Sequence, residues 1–243
     1  MKNIIFCLIL LSLFTWNLQL SCQTVEASSG VDKNSFQFEL ESIYLVEREG
    51  QDKVLSWSIP NALVRYGVSN NVEVLFLVPF VQQYEYSLKE LKNSSFLFES
   101  LQLGVSINLW KQSGFIPEAC AMYRSFLPVE NFSINTTGHL LGLNFSNRLN
   151  DKFLLTYNFG YLSDPQERSG FYILNLACDL TKTTHCFVEL FGSKFDSSKS
   201  KNMINTGIGF NLTSDIALDF SMATGLDHDM LFVGGKLSYV LGI

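Results

Sequence analysis

MINTGIGFNLTSDIALDFSMA, from Met203 to Ala223, alternates, turns once and alternates again. Ile204, Thr206, Ile208, Phe210 and Leu212 share one parity, against Met203, Asn205, Gly207, Gly209 and Asn211. After Thr213-Ser214-Asp215 the pattern resumes as Ile216, Leu218, Phe220 and Met222 against Ala217, Asp219, Ser221 and Ala223. Successive strand side chains point to opposite faces, so a three-residue turn between equivalent positions carries one apolar face from strand to strand. The device recurs where Val68 and Val72 bracket Ser69-Asn70-Asn71, Leu149 and Phe153 bracket Asn150-Asp151-Lys152, and Leu180 and Thr184 bracket Thr181-Lys182-Thr183. That is an antiparallel meander.

One face of these strands is large and apolar. The other is Gly, Ala, Ser and Asn, as in Phe153, Leu155, Tyr157, Phe159 and Tyr161 against Thr156, Asn158 and Gly160. A soluble sandwich would solvate its polar face with long charged side chains. A small or amide-bearing face suits the inside of a closed barrel whose apolar face meets lipid. The fold class expected is therefore all-β, a closed antiparallel up-and-down transmembrane β-barrel of about 12 strands preceded by a cleaved signal peptide.

Composition agrees. Of 243 residues, 47% are hydrophobic and 16% are charged, with net charge −6. Charged content below the roughly 25% of soluble domains argues against an ordinary soluble enzyme. The acidic balance gives no electrostatic footprint for nucleic acid. Met1-Lys2-Asn3 and the apolar run Ile4 to Phe14 have the form of a secretory signal. Cleavage is expected between residues 22 and 27, after Ala27 or beside Cys22, where lipidation is the rival reading; the division is residues 1–27 signal and 28–243 one barrel domain. No later segment has the roughly 18 consecutive apolar residues of a spanning helix, so insertion must use strands.

Segments of alternation centre on Phe38 to Val46, Leu55 to Val68, Val72 to Tyr84, Phe96 to Trp110, Glu118 to Leu127, Thr137 to Leu149, Phe153 to Leu162, Phe171 to Leu180, Thr184 to Phe195, Met203 to Leu212, Ile216 to Gly225 and Met230 to Leu241. Tight turns alternate with longer polar stretches, among them Glu47 to Lys53 and Ser87 to Ser95. Outer-membrane barrels have short periplasmic turns and longer external loops, which places both termini in the periplasm of a bacterial outer-membrane protein. Across the turn at Thr181-Lys182-Thr183 the count sets Cys178 opposite Cys186, where a disulfide and two unbridged small side chains both fit.

Leu63-Val64-Arg65-Tyr66-Gly67-Val68-Ser69-Asn70-Asn71-Val72-Glu73-Val74 resembles a hairpin of the outer-membrane transporters named for the meta-pathway of phenol degradation. Pro117 to Pro128, Phe187 to Gly192, and Thr224-Gly225-Leu226 with Phe232 to Tyr239 are similar to later segments of that family. The resemblance implies an outer-membrane barrel with a transport role and supplies no catalytic or binding residues.

By parity the inner face carries Ser100, Gln102, Ser106, Asn108, Glu118, Arg124, Asn158, Asn175, Asp179, His185, Glu189, Asn205, Asn211, Asp219, Lys236 and Ser238. Of these, Gln102, Asn108, Glu118, Arg124, Asn158, Asp179, His185, Glu189, Asn205, Asp219 and Lys236 are the candidate lumen-lining set. Phe171, Ile173, Phe187 and Leu154 share the face and make it partly apolar. His185 opposite Asp179 resembles a base with its orienting carboxylate, but no Ser or Cys nucleophile is set beside it, so a structural hydrogen bond is the preferred reading. His139 reads as interfacial, and His228 as part of a solvated turn. The expectation is a passive channel for small, weakly apolar solutes, with lipid and solute as partners, no cofactor, no metal and no enzymatic activity. The alternatives are a non-conducting structural barrel or an outer-membrane lipid-modifying enzyme.

Overall fold

The computed structural model describes Ser28 and residues 30–58, 60–98, 101–127, 137–163, 168–195 and 200–243. The expected signal peptide, its cleavage region and Ser100 lie outside them. The described residues form β1 (Ser35–Glu49), β2 (Asp52–Ser58), β3 (Asn61–Gly67), β4 (Val72–Val78), β5 (Phe80–Ser87), β6 (Glu90–Phe98), β7 (Leu101–Trp110) and β8 (Glu118–Leu127). They continue as β9 (Gly138–Arg148), β10 (Phe153–Ser163), β11 (Arg168–Asp179), β12 (Thr184–Phe195), β13 (Lys201–Asn211), β14 (Ile216–Gly225) and β15 (Asp229–Gly242). β2 and β3, β4 and β5, and β6 and β7 each follow one another along a single wall strand, so the fifteen segments make twelve wall strands. All pair antiparallel, and β1 meets β15 from Ser35↔Gly242 to Arg48↔Asp229, closing the barrel. The twelve expected alternating segments coincide with these twelve strands.

Proline explains the segmentation at Pro60. Ala62 faces Val78 while Ser58 faces Val81, and Asn61 faces Glu41 while Trp57 faces Tyr44. The β2–β3 side thus spends one residue more than either neighbour, a bulge where proline, lacking an N–H, costs no ladder bond. Parity inverts across it: Arg65 is buried on odd numbering, whereas Ser58 is buried beside an exposed Trp57.

The four three-residue turns are chemically one turn. Val68, Leu149, Leu180 and Leu212 each donate their N–H to the carbonyl of Val72, Phe153, Thr184 and Ile216 at 2.9 Å. The first loop residue, Ser69, Asn150, Thr181 or Thr213, turns its side-chain oxygen back to accept loop amides. The last loop carbonyl then accepts from the neighbouring hairpin, through Asn108 to Asn71, Asp179 to Lys152, Asn211 to Thr183 and Val240 to Asp215, each 2.8 Å. The turn end is a linked rim.

Two expectations are corrected. Glu47 to Lys53 and Ser87 to Ser95 are not long loops: β1 runs into β2 through Gly50 and Gln51, and β5 into β6 through Leu88 and Lys89. Leu88 and Lys89 both adopt positive φ, 53° and 67°, the backbone of a hairpin turn whose twist matches its strands. Of the two arrangements that fit Cys178 and Cys186, the structure has the unbridged one: they face each other in register as free thiols. Since Asp179 donates to Lys152, it is Cys178 whose amide faces β12. The cysteines therefore form a hydrogen-bonded pair, in which Cα atoms stand about 5.5 Å apart and side chains are farther from one another than in the alternate pairs.

Outward positions carry Phe38, Leu40, Tyr44, Leu141, Leu143, Phe159, Leu174, Phe220, Met222 and Val233, all exposed. So broad an apolar surface matches lipid. Inside, rings lie over glycines of the paired strand: a Cβ at Gly160 would strike Phe171, and one at Gly207 would strike Phe187 and the Phe220 carbonyl. A Cβ at Gly235 would meet nothing nearer than 3.5 Å. Gly207→Ala is therefore expected to destabilise the barrel by about 1–3 kcal/mol, with Gly235→Ala near neutral, read as loss of the fast-migrating band on unheated gels at lower temperature. Phe220→Arg, a charge on the lipid face, is expected to cost about 2–4 kcal/mol and to lower the yield of folded protein in liposome-refolding assays.

Candidate functional site

Inward side chains meet as a polar belt. His185 of β12 reaches Asp219 of β14, Nε2 to Oδ1 3.1 Å, over the intervening Gly209. Asp219 stands opposite Lys236 in the β14–β15 register, and Lys236 Nζ lies 3.9 Å from Glu39 of β1. Glu39 is 3.6 Å from Arg65 of β3, which holds Glu73 of β4 through two hydrogen bonds to one oxygen, the shorter 2.5 Å. Polar side chains thus run from β12 to β4, with charges alternating from Asp219 to Glu73. Arg124 and Asn144 are buried on β8 and β9, and Asn158 of β10 faces Asn144. Unpaired burial of any of these charges would cost several kcal/mol, so the alternation is what makes the belt tolerable.

On β11 to β13 the belt changes character. Glu189, fully buried, accepts from Asn175 Nδ2 at 3.1 Å and from Asn205 Nδ2 at 3.2 Å. Among the described residues no cation is in salt-bridge contact with it. Phe187 and Phe191 flank it on the same face, within an apolar cluster that includes Ile173, Ala177, Leu154 and Phe171. A second apolar cluster, Ala223, Met230 and Phe232 with Ile43, Leu45, Phe191 and Met203, lies towards the loop end.

The structure therefore places Asn108, Arg124, Asn158, His185, Glu189, Asn205, Asp219 and Lys236 on the interior face and buries them. Gln102 is half-buried on β7. Glu118 sits at the turn-end rim, bonded to Asn108 and Lys111 at 2.7 Å each. Asp179 is not the partner of His185; it pairs with Arg148 at 2.8 Å. The expected His185–Asp179 constellation does not form, because Gly209 leaves room for His185 to turn the other way. His139 lies outward with Nδ1 2.7 Å from the Tyr123 hydroxyl, and His228 contacts Asp227. In that loop the Asn202 N–H and then His228 hold the Asp227 carboxyl down at about 2. Sequence reading missed Glu39, Arg65, Glu73 and Asn144. Its one usable signal was a charge or amide alternating with Phe38, Val64, Val74 and Leu143.

A further unexpected feature is a strap inside the turn end. The chain before β1 crosses Gly67, where Asn34 donates to the Gly67 carbonyl at 2.8 Å and any Cβ would strike the Val31 and Asp32 carbonyls. Val31 N–H then donates to Glu73 Oε2 at 2.8 Å. Ser28 accepts at its carbonyl from Asn108 at 3.0 Å, and its hydroxyl meets that of Ser146 at 2.6 Å. From β1 the strap passes β3, β4 and β7 to reach β9.

No known family's sequence model matches this chain, and no curated protein matches its sequence. Solved structures do match its fold. An outer membrane channel from Pseudomonas putida F1 superposes with TM-score 0.74 at 10% identity over 92% of this chain and 100% of that one. The translocator domain of autotransporter NalP from Neisseria meningitidis gives 0.58 at 8% identity, covering 99% and 96%. The KdgM porin, in complex with disordered oligogalacturonate, gives 0.53 at 9%, covering 83% and 97%. The likeness is one of fold, the closed transmembrane β-barrel of bacterial outer-membrane proteins.

If Gly67 seats the strap, Gly67→Val should displace it. With the native cysteines replaced by serine, a Ser28→Cys thiol should react at least about ten-fold faster with a charged maleimide once Gly67→Val is added, as local opening exposes it.

Proposed function

We propose that the protein is a passive outer-membrane channel for small solutes, with both termini and the strap on the periplasmic side. The observation that carries this reading is the inner face itself. His185, Asp219, Lys236, Glu39, Arg65 and Glu73 make a polar track along seven neighbouring wall strands, crossing β13 at Gly209. Apolar side chains gathered towards the loop end, with Phe232, Met230 and Leu45 among them, give that track an apolar approach. Such an order suits a solute with an apolar body and a polar group, and it agrees with the resemblance to the meta-pathway transporters. The strap lies across the turn end of that track. A non-conducting structural barrel is the second reading, favoured by how closely the belt is packed, with Asn158, Glu189 and Asn205 at 0% exposure.

Purified protein in planar bilayers should conduct weakly, and a Ser28→Cys/Ser146→Cys variant, bridged where the two hydroxyls now meet, should conduct less when oxidised than when reduced. Folded protein that never conducts, and whose liposomes admit no small solute, decides for the structural barrel.

A further inference from the structure

Glu189 stands out from the belt in what surrounds it. Four buried carboxylates, Glu39, Glu73, Glu189 and Asp219, face three buried cations, Arg65, Arg124 and Lys236. Arg65 holds Glu73 and Glu39, Lys236 approaches Glu39, and Asp219 has His185. Glu189 has the two asparagine amides in contact, while the charge of Lys236 reaches it from beyond salt-bridge distance. A buried carboxylate with no cation in contact, set between phenylalanines, is costly to keep charged.

Both asparagines also carry an unmet demand. Asn175 Oδ1 and Asn205 Oδ1 are buried with no hydrogen-bond partner, their residues 1% and 0% exposed. Each carboxamide already converges on Glu189 through its nitrogen. Turning either about its terminal torsion exchanges nitrogen for oxygen and leaves the carboxylate flanked by acceptors. Three acceptor groups around one point, with Phe187 and Phe191 on the same strand face, are what an ammonium group with an apolar body requires: charge-assisted hydrogen bonds to oxygen and ring faces for the cation and its stem.

We propose that Glu189, Asn175 and Asn205 form a binding site for the ammonium group of a small organic amine, with Phe187 and Phe191 receiving its apolar body. This deepens the transport reading and relies on it for the route by which the amine reaches the wall. One ligand then places a cation in contact with the carboxylate and offers donors to whichever carboxamide turns its oxygen inward. The loop-end apolar cluster, which shares Phe191 with this site and sets it 6.3 Å from Phe232 between ring centroids, lies on that route.

The test compares benzylammonium, benzyl alcohol and benzoate, which share a ring and differ in charge, by calorimetric titration into the folded full-length barrel in detergent. Benzylammonium is expected to bind at least about ten-fold more tightly than the other two, and Glu189→Gln to remove that preference while leaving benzyl alcohol unchanged. Glu189→Gln keeps one asparagine contact as it stands and the other once that carboxamide turns its oxygen to the new amide, and it relieves a buried charge; folding is verified by the unheated gel band. Asn175→Leu with Asn205→Leu is a second variant that should weaken benzylammonium alone. Equal binding of all three probes, or benzylammonium binding untouched by Glu189→Gln, overturns the proposal. Liposome uptake of the same probes is scored separately: selective binding without uptake upholds this site and rejects the channel, while charge-blind uptake with no selective binding upholds the channel and rejects the site.

Discussion

Everything in this molecule follows from the need to pair each backbone N–H and C=O that enters lipid. An open sheet would leave two edges bare in hydrocarbon, at several kcal/mol per group. The β1–β15 ladder removes both edges at once. Once the sheet closes, every strand has an inside and an outside, and the sequence is obliged to alternate. The outside can be any large apolar residue. The inside is crowded, so bulk in one strand is answered by glycine in its neighbour, as Phe187 lies over Gly207 and Phe171 over Gly160.

That obligation is why the wall was legible from residues alone. Wherever both faces are specified, as between Met203 and Ala223, parity fixed strand, turn and facing. It faded where the constraint fades. Between Ser87 and Ser95 neither face has to be apolar, so Ser87, Glu90, Lys92, Asn93, Ser94 and Ser95 read as a loop although β6 begins at Glu90. The bulge at Pro60 was equally silent: a one-residue slip reverses which numbers point inward, yet the residues on either side keep a mixed pattern.

The inner face was legible in membership but not in partnership. Parity says that His185, Asp219, Glu189 and Lys236 share one surface, while who meets whom depends on gaps. Counting across the hairpin paired His185 with Asp179; the missing side chain at Gly209 let it cross a strand to Asp219 instead. The strap left no trace at all, since Ser28 to Asn34 has no period and gains its place only from Gly67, Glu73 and Asn108. Cys178 and Cys186 show the same division, since their register was readable and whether the two thiols bridge was not.

The repeated turn has a mechanical meaning. Because the last carbonyl of each of the four turns takes an amide from the neighbouring strand, four ladders at this end of the barrel are carried one rung past the strand ends. Each of these turns is therefore braced twice, once across its own hairpin and once sideways. A load on one of them is passed to the strand beside it before its own hairpin can open.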